Sequence, residues 1–347
     1  MRSSILLFYS FVACITSLTK QDCGDDPEDC DVKSLHINSS QDPQDEKEQR
    51  GIDQGLLDKL RFFSQFAAAS YWPGNTNSTG DLLKCSGDSC PKVPAGNCPD
   101  VEKGEYTTIS EWKDFAGFDD HGFIAISRSA KLIVLSFRGS GSDRNWAEDF
   151  KIDKVHVPEF CKSCHVHHGF WESWRGVSEP VVKLLIRLHY ENPNHRVVVV
   201  GHSLGGAEAV LAAGDIRNQG PWWTANVELY SYGSPRVGNI ETVRFLSQQS
   251  TKSYRVTAMQ DPIPRMPPAV LGYKHTSPEY WIHSSPDHPG PWDVNILWGY
   301  SNPKGVNQFS AADGFHMNSH RHYFGYIPGC DPDPPTDPSV TDIRAKL

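Results

Sequence analysis

A chain of 347 residues with ordinary globular composition is long enough to bury a sizeable core in one α/β domain, with length left for tails. Its net charge of −9, with no basic stretch interleaved with aromatics, argues against a nucleic-acid binder. Residues 20–50 alone carry ten Asp and Glu against four Lys and Arg and are nearly free of large apolar groups, so they cannot offset the entropy of ordering themselves.

Met1-Arg2, the apolar run Ile5 to Ile15 and the small-residue end Thr16 to Thr19 have the layout of a secretory signal. The run is too short to span a bilayer, and no other stretch is apolar enough. The expected organisation is a signal peptide over 1–20, an acidic propeptide or flexible arm over 21–50, a folded domain over 51–330 and a disordered Pro- and Asp-rich tail over 331–347. The protein is expected to be secreted into the extracellular medium. Nine cysteines fall to eight if Cys14 leaves with the signal, an even number suited to disulfides outside the cell. Cys161 and Cys164 read as a loop staple, while Cys85, Cys90 and Cys98 pin the long polar loop 76–104 in some pairing. Asn38 and Asn77 begin glycosylation sequons.

Ordered structure is expected from Gly55, where Leu56, Leu57, Leu60, Phe63, Phe66 and Ala67 recur at helical spacing until Trp72-Pro73-Gly74. Phe123 to Ile126 and Leu132 to Phe137 form a β-hairpin across Arg128 to Lys131. Ser178-Glu179-Pro180 opens a helix with Pro in its first turn, and Val181, Leu184, Leu185 and Leu188 supply its buried stripe as far as Asn192-Pro193. Next come four valines, Val197 to Val200, β-branched on both faces as a strand buried on both sides requires. They run into Gly201-His202-Ser203-Leu204-Gly205 and then the small-residue run Ala209 to Ala213. Strand, sharp turn and helix around G-x-S-x-G is the context of a nucleophile elbow. A strand at Val227 to Tyr232, a helix at Ile240 to Ser247 and a strand at Tyr254 to Ala258 follow. The alternation predicts an α/β fold with a central mixed, mostly parallel sheet flanked by helices.

A serine hydroxyl needs a histidine to take its proton, and the imidazolium needs an acid to orient it. In this fold the acid follows the serine and the histidine comes last. Asp261, just beyond the strand Tyr254 to Ala258, meets the first demand, with Asp287, Asp293 and Asp313 as competitors. His275, His283, His288, His316, His320 and His322 all lie downstream, and spacing alone does not choose among them. Oxyanion donors are sought at the Leu204 backbone N–H and in Arg138-Gly139-Ser140, which ends an early strand. This chemistry requires no metal and no organic cofactor.

From Gly55 to Cys330 the chain resembles the fungal class 3 lipases, with feruloyl esterases as close relatives. The likeness rests on FAAASYW, LIVLSFRGS with RNW, CKSCHVHHGF, VVVVGHSLGGA, YGSPRVGN, QDPIPRMPP, GYKHTSPEYWI and HRHYFG. It implies the α/β-hydrolase fold, with Ser203, Asp261 and His320 as a catalytic triad. It further implies Ser140 and Leu204 as oxyanion donors and a lid over 141–150 that includes Asp143, Trp146 and Phe150. That segment is poorer in aliphatic side chains than is usual for such lids, which should weaken adsorption to fat. Cys330 matches a terminal cysteine whose usual partner position is taken here by Tyr71-Trp72, leaving Cys98, Cys23 or Cys30 to pair with it. Glu208, in the elbow helix, is more polar than the pattern predicts. The implied partner is an acylglycerol or other ester at a lipid–water interface. The alternatives are a soluble-ester or feruloyl esterase and a non-catalytic lipid-binding protein.

Overall fold

The computed structural model describes residues 47–86, 97–113, 121–140, 152–310, 313 and 317–328. In chain order the strands are β1 (Glu48–Arg50), β2 (Thr107–Lys113), β3 (His121–Ser127), β4 (Leu132–Phe137), β5 (Lys154–His156), β6 (His165–His167), β7 (Arg196–His202), β8 (Val227–Tyr232), β9 (Ser253–Ala258), β10 (Glu279–Ile282) and β11 (Val294–Leu297). The α-helices are α1 (Gln54–Ser70), α2 (Pro99–Lys103), α3 (His168–Glu191), α4 (Leu204–Arg217), α5 (Pro221–Asn226), α6 (Ile240–Gln249) and α7 (Met317–Arg321).

Nine strands form one sheet in the order β1-β11-β10-β9-β8-β7-β4-β3-β2. The run β4-β7-β8-β9-β10 is parallel, and antiparallel pairs close both ends. This is the expected α/β-hydrolase sheet, with β7 near its middle. All four valines of β7 are fully buried, and they alternate between two cores. Val198 and Val200 pack with Leu57, Leu60, Phe63 and Phe66 of α1 on one face, while Val197 and Val199 meet α3 and α4 on the other. Burying each valine contributes about 1.5 kcal/mol or more, so register here is strongly specified. Asp53 starts α1 by accepting from the Leu56 N–H at 2.8 Å.

Three expectations need correction. The helix assigned from Ser178 begins ten residues earlier, at His168, with Pro180 inside it. Phe170, Trp171, Trp174 and Val177 bury along the same stripe as Val181 and Leu185, which outweighs the roughly 3 kcal/mol that an interior proline costs. The folded part reaches back before Gly55: Glu48–Arg50, assigned to the flexible arm, pairs with β11, and the Lys47 ammonium lies 4.4 Å from the Trp298 ring centroid. Cys98 is bonded to Cys85, which removes it as a partner for Cys330, and Cys161 is bonded to Cys164 as a loop staple between β5 and β6. Cys23, Cys30, Cys90, Cys330, Asn38, the signal segment and the C-terminal tail lie outside the described residues. The strands β10 and β11, four residues each, carry too little periodicity to be read in advance.

Two buried histidines couple the fold to pH. His275 donates to the Pro264 carbonyl at 2.6 Å, and burial together with the Arg255 and Arg236 charges drives its pKa well below the usual value. His202 is depressed likewise, first by burial and then by the neighbouring His320. Partial burial depresses His189 and His195 as well. A depressed folded-state pKa means that below about pH 6.5 the unfolded chain binds the extra protons, so stability falls as pH falls through that value. Urea unfolding at pH 7.5, 6.5 and 5.5 should therefore show a steeper loss for the parent than for His275→Gln, by up to about 1.4 kcal/mol per pH unit. Parallel slopes would contradict a neutral His275.

Candidate active site

The sharp turn between β7 and α4 is dictated by space. A Cβ on Gly201 would lie 2.0 Å from the Gly205 carbonyl oxygen, and one on Gly205 would lie 2.5 Å from the carbonyls of Phe137 and Arg138. Only glycine fits at either end. Between them Ser203 takes φ 59° and ψ −129°, a conformation that L-residues rarely adopt. Its N–H is held by the Tyr232 carbonyl at 2.9 Å, and its own carbonyl receives the Gly206 N–H at 2.9 Å. The side chain stands at the carboxyl edge of the parallel strands, where open α/β sheets bind ligands.

Two other elements deliver side chains to this edge. Asp261 follows β9, is fully buried, and accepts the Ile263 N–H on Oδ1 at 2.9 Å. His320 sits on α7 and is 3% exposed. Its Nδ1 is 2.9 Å from Asp261 Oδ2, and its Nε2 is 2.8 Å from Ser203 Oγ. The carboxylate can only accept, so Nδ1 carries the proton and the Nε2 lone pair faces the serine hydroxyl.

The surroundings contain groups that the sequence analysis did not single out. Tyr323, also fully buried, donates its hydroxyl to Asp261 Oδ2, and burial beside that carboxylate raises its own pKa. Gly233 has φ +58°, and a Cβ there would come within 3.0 Å of both Asp261 Oδ2 and His320 Nδ1. The signal for it was the YGS of YGSPRVGN. His202 donates from Nε2 to the His320 carbonyl at 2.8 Å and accepts at Nδ1 from the Tyr71 hydroxyl at 2.9 Å. Its ring lies 4.6 Å from that of His320, at 30°. Because a carbonyl only accepts, this tautomer is also fixed.

Except for His288, which hydrogen-bonds to neither Ser203 nor Asp261, the competing residues that the structure describes are bonded elsewhere. His322 bonds to Asp287, His275 to Pro264, and His283 to the Trp292 carbonyl. Asp293 holds the Gly290 N–H and Asp313 holds Ser310. His316 lies outside the described residues. Gly139 packs its backbone against the elbow, since a Cβ on it would lie 2.8 Å from Ser203 Cβ. Ser140 follows it directly, and Leu204 begins α4, where first-turn N–H groups have no intrahelical partner. The lid residues Asp143, Trp146 and Phe150 lie outside the described residues. Glu208 is buried and accepts from the Ser173 hydroxyl on α3. Among the described residues, no three His, Cys, Asp or Glu side chains are grouped to hold a metal ion, and no helix is long and apolar enough to cross a membrane.

Comparison with known proteins gives the family. Residues 134–271 match the family model described as lipase (class 3), a span that includes Ser140, Ser203, Leu204 and Asp261. The chain is 41% identical over 237 residues to the secreted mono- and diacylglycerol lipase A of Penicillium cyclopium, covering 68% of this chain and 73% of the relative. It is 40% identical over 283 residues to the secreted mono- and diacylglycerol lipase 1 of Fusarium solani, covering 80% and 78%. The crystal structure of the mono- and diacylglycerol lipase from Aspergillus oryzae superposes with a TM-score of 0.71 at 37% identity, over 80% of this chain and 99% of that one. The chain therefore belongs to the class 3 lipase family and is a secreted carboxylic ester hydrolase of the lipase type.

Proposed function

We propose that the protein hydrolyses acylglycerol esters, with partial acylglycerols as its main substrates, through Ser203, His320 and Asp261. The observation that carries this reading is the continuous hydrogen-bonded line from Ser203 Oγ through His320 to Asp261, buried at the carboxyl edge of the parallel strands. The preference for partial acylglycerols rests on the Penicillium and Fusarium relatives, which are named mono- and diacylglycerol lipases.

In the proposed reaction, Ser203 Oγ attacks the ester carbonyl as His320 Nε2 takes its proton. Asp261 stabilises the resulting imidazolium, and Tyr323 and the Ile263 N–H keep its carboxylate in place. The tetrahedral oxygen receives the Leu204 N–H and the Ser140 hydroxyl. Collapse passes the proton to the departing glyceryl alcohol and leaves an acyl-serine. Water then repeats the sequence, releasing the fatty acid and restoring Ser203.

Ser203→Ala and His320→Ala should each lower kcat by at least about 10³-fold on a soluble short-chain ester, whereas His322→Ala should stay within about tenfold of the parent. Loss in His322→Ala with near-parent turnover in His320→Ala would reverse the assignment of the base. Ser140→Ala should reduce kcat by about 10²- to 10³-fold with little change in KM if its hydroxyl serves the oxyanion; a loss under threefold would remove it from that role. A panel of triolein, diolein, monoolein and methyl ferulate, assayed at equal interfacial area where the substrate is insoluble, should rank diolein and monoolein first. Turnover of methyl ferulate above all three glycerides would move the protein to the feruloyl-esterase reading.

A further inference from the structure

The edge of the sheet opposite Ser203 carries a second feature, independent of the ester chemistry. Trp222 on α5 is 36% exposed, and one face of its indole is covered by His189 of α3, stacked at 3.6 Å between ring centroids. Trp223 meets it edge-on at 4.9 Å, so the indole is held as a rigid platform. Tyr190, one residue after His189, is 85% exposed. Beside Trp222 lies a cleft of about 260 Å³ at the amino-terminal ends of β7 and β8, lined also by Asn194, Arg196, Asn226, Glu228 and Lys252. Drug-sized ligands occupy pockets of about 300 Å³ or more, so this volume suits a single ring of a longer ligand.

The cleft lining sets the chemistry. Arg196 and Glu228 neutralise each other in a two-bond pair at 2.8 and 2.9 Å. Lys252 commits one N–H to the Ala225 carbonyl at 2.8 Å and keeps two donors. Asn226 commits its amide nitrogen to the Trp222 carbonyl at 2.8 Å and keeps its oxygen as an acceptor. The Asn194 amide makes no hydrogen bond within the described residues. The cleft itself, one flat aromatic face ringed by amide, imidazole and ammonium groups with one cation in excess, is poorly matched to a lipid surface, which wants a broad apolar face; the exposed Ile186 and Tyr190 of α3 lie outside its lining. It is also poorly matched to a polyanion, which wants unpaired cations. It matches a pyranose ring, which presents a flat C–H face to the indole and equatorial hydroxyls to the rim.

We propose that Trp222 and this cleft form a binding site for a β-linked gluco-configured polysaccharide, whose equatorial linkages leave the C–H face of each ring clear to meet the indole, contacting one sugar ring at a time. β7 is seven residues long, which separates the cleft from Ser203 by about 20 Å, on the far edge of the sheet. A glycan held there leaves the esterase edge open, so the site would retain the secreted enzyme on a polysaccharide-rich surface while it works on ester. The arrangement needs no contribution from Ser203, His320 or Asp261.

The test is native affinity electrophoresis of the full secreted chain in gels containing laminarin, hydroxyethyl cellulose or glycol chitin. The parent should be retarded in at least one gel, and the three gels distinguish β-1,3-glucan, β-1,4-glucan and N-acetylated chains. Trp222→Ala should lose the retardation and Asn194→Ala should weaken it at least threefold, with hydrolysis of a soluble short-chain ester unchanged in both. Absence of retardation in all three gels, or equal retardation of Trp222→Ala, would overturn the proposal. So would sedimentation of the parent as a dimer and of Trp222→Ala as a monomer, which would make the patch a contact between two copies.

Discussion

The closeness of β7 to α4 at Gly201 and Gly205 is the constraint on which the rest of the site depends. Where a helix axis passes that near a strand end, no Cβ fits on either flank, and the residue between is forced to positive φ. The conformation is costly for serine, on the order of 1–3 kcal/mol, and persists only because its surroundings over-determine it. Here those surroundings are extensive. Four buried valines lock the strand between two cores, and α4 is buried along nearly its whole length. The Tyr232 carbonyl of the next strand also holds the Ser203 N–H. Local strain at Ser203 is thus supported by buried hydrophobic packing on both faces of the sheet, which keeps Ser203 Oγ at one place on the sheet edge.

Once the serine is fixed, the histidine must be fixed to it, and α7 is too short to do so alone. Its five residues make little helical structure of their own. His320 is instead gripped through both its side chain and its backbone. Asp261 holds Nδ1, while His202 holds the carbonyl and lies against the ring. Burial keeps His202 neutral, so a second positive charge does not arise beside the imidazole that takes up a proton in the proposed reaction. Asp261, at the other end, receives three donors from His320, Tyr323 and Ile263, which hold both of its oxygens in place. His202, which precedes Ser203 in the chain, therefore holds His320 rather than Ser203.

Much of this was legible in the sequence because the relevant signals are local. Val197 to Gly205 states strand, turn and helix within one short window, and the Pro-stiffened loop around Asp261 follows a strand that its own composition announces. What was not legible depends on packing between distant segments. Choosing His320 over His322 from the residues alone requires knowing that a two-residue step, from inside a short helix to just past its end, sends one ring to Asp261 and the other to Asp287, 26 residues apart in sequence. Pro180 reads locally as a helix start, yet Trp171 and Trp174 extend the helix before it because their burial outweighs the local preference. Tyr323 and Gly233 carried no local signal beyond their place in longer motifs. Glu208 looked anomalous until Ser173, on a different helix, supplied its partner.

The two edges of the sheet divide the labour of the molecule by a simple physical rule. At the carboxyl edge, strand ends and helix starts bring unpaired N–H groups and glycine-lined turns together, which suits a developing negative charge. At the amino-terminal edge the turns that enter the strands place side chains, rather than backbone donors, at the surface. Arg196 and Glu228 stand at the starts of neighbouring parallel strands and are bonded to each other, so the charge there is internally cancelled. Trp222 lines the same cleft as that neutral pair, on a six-residue helix none of whose side chains is fully buried. The helix is anchored by Trp223, which packs against the core of α3 and α4, and this leaves Trp222 in a fixed stack at the surface, remote from the esterase edge.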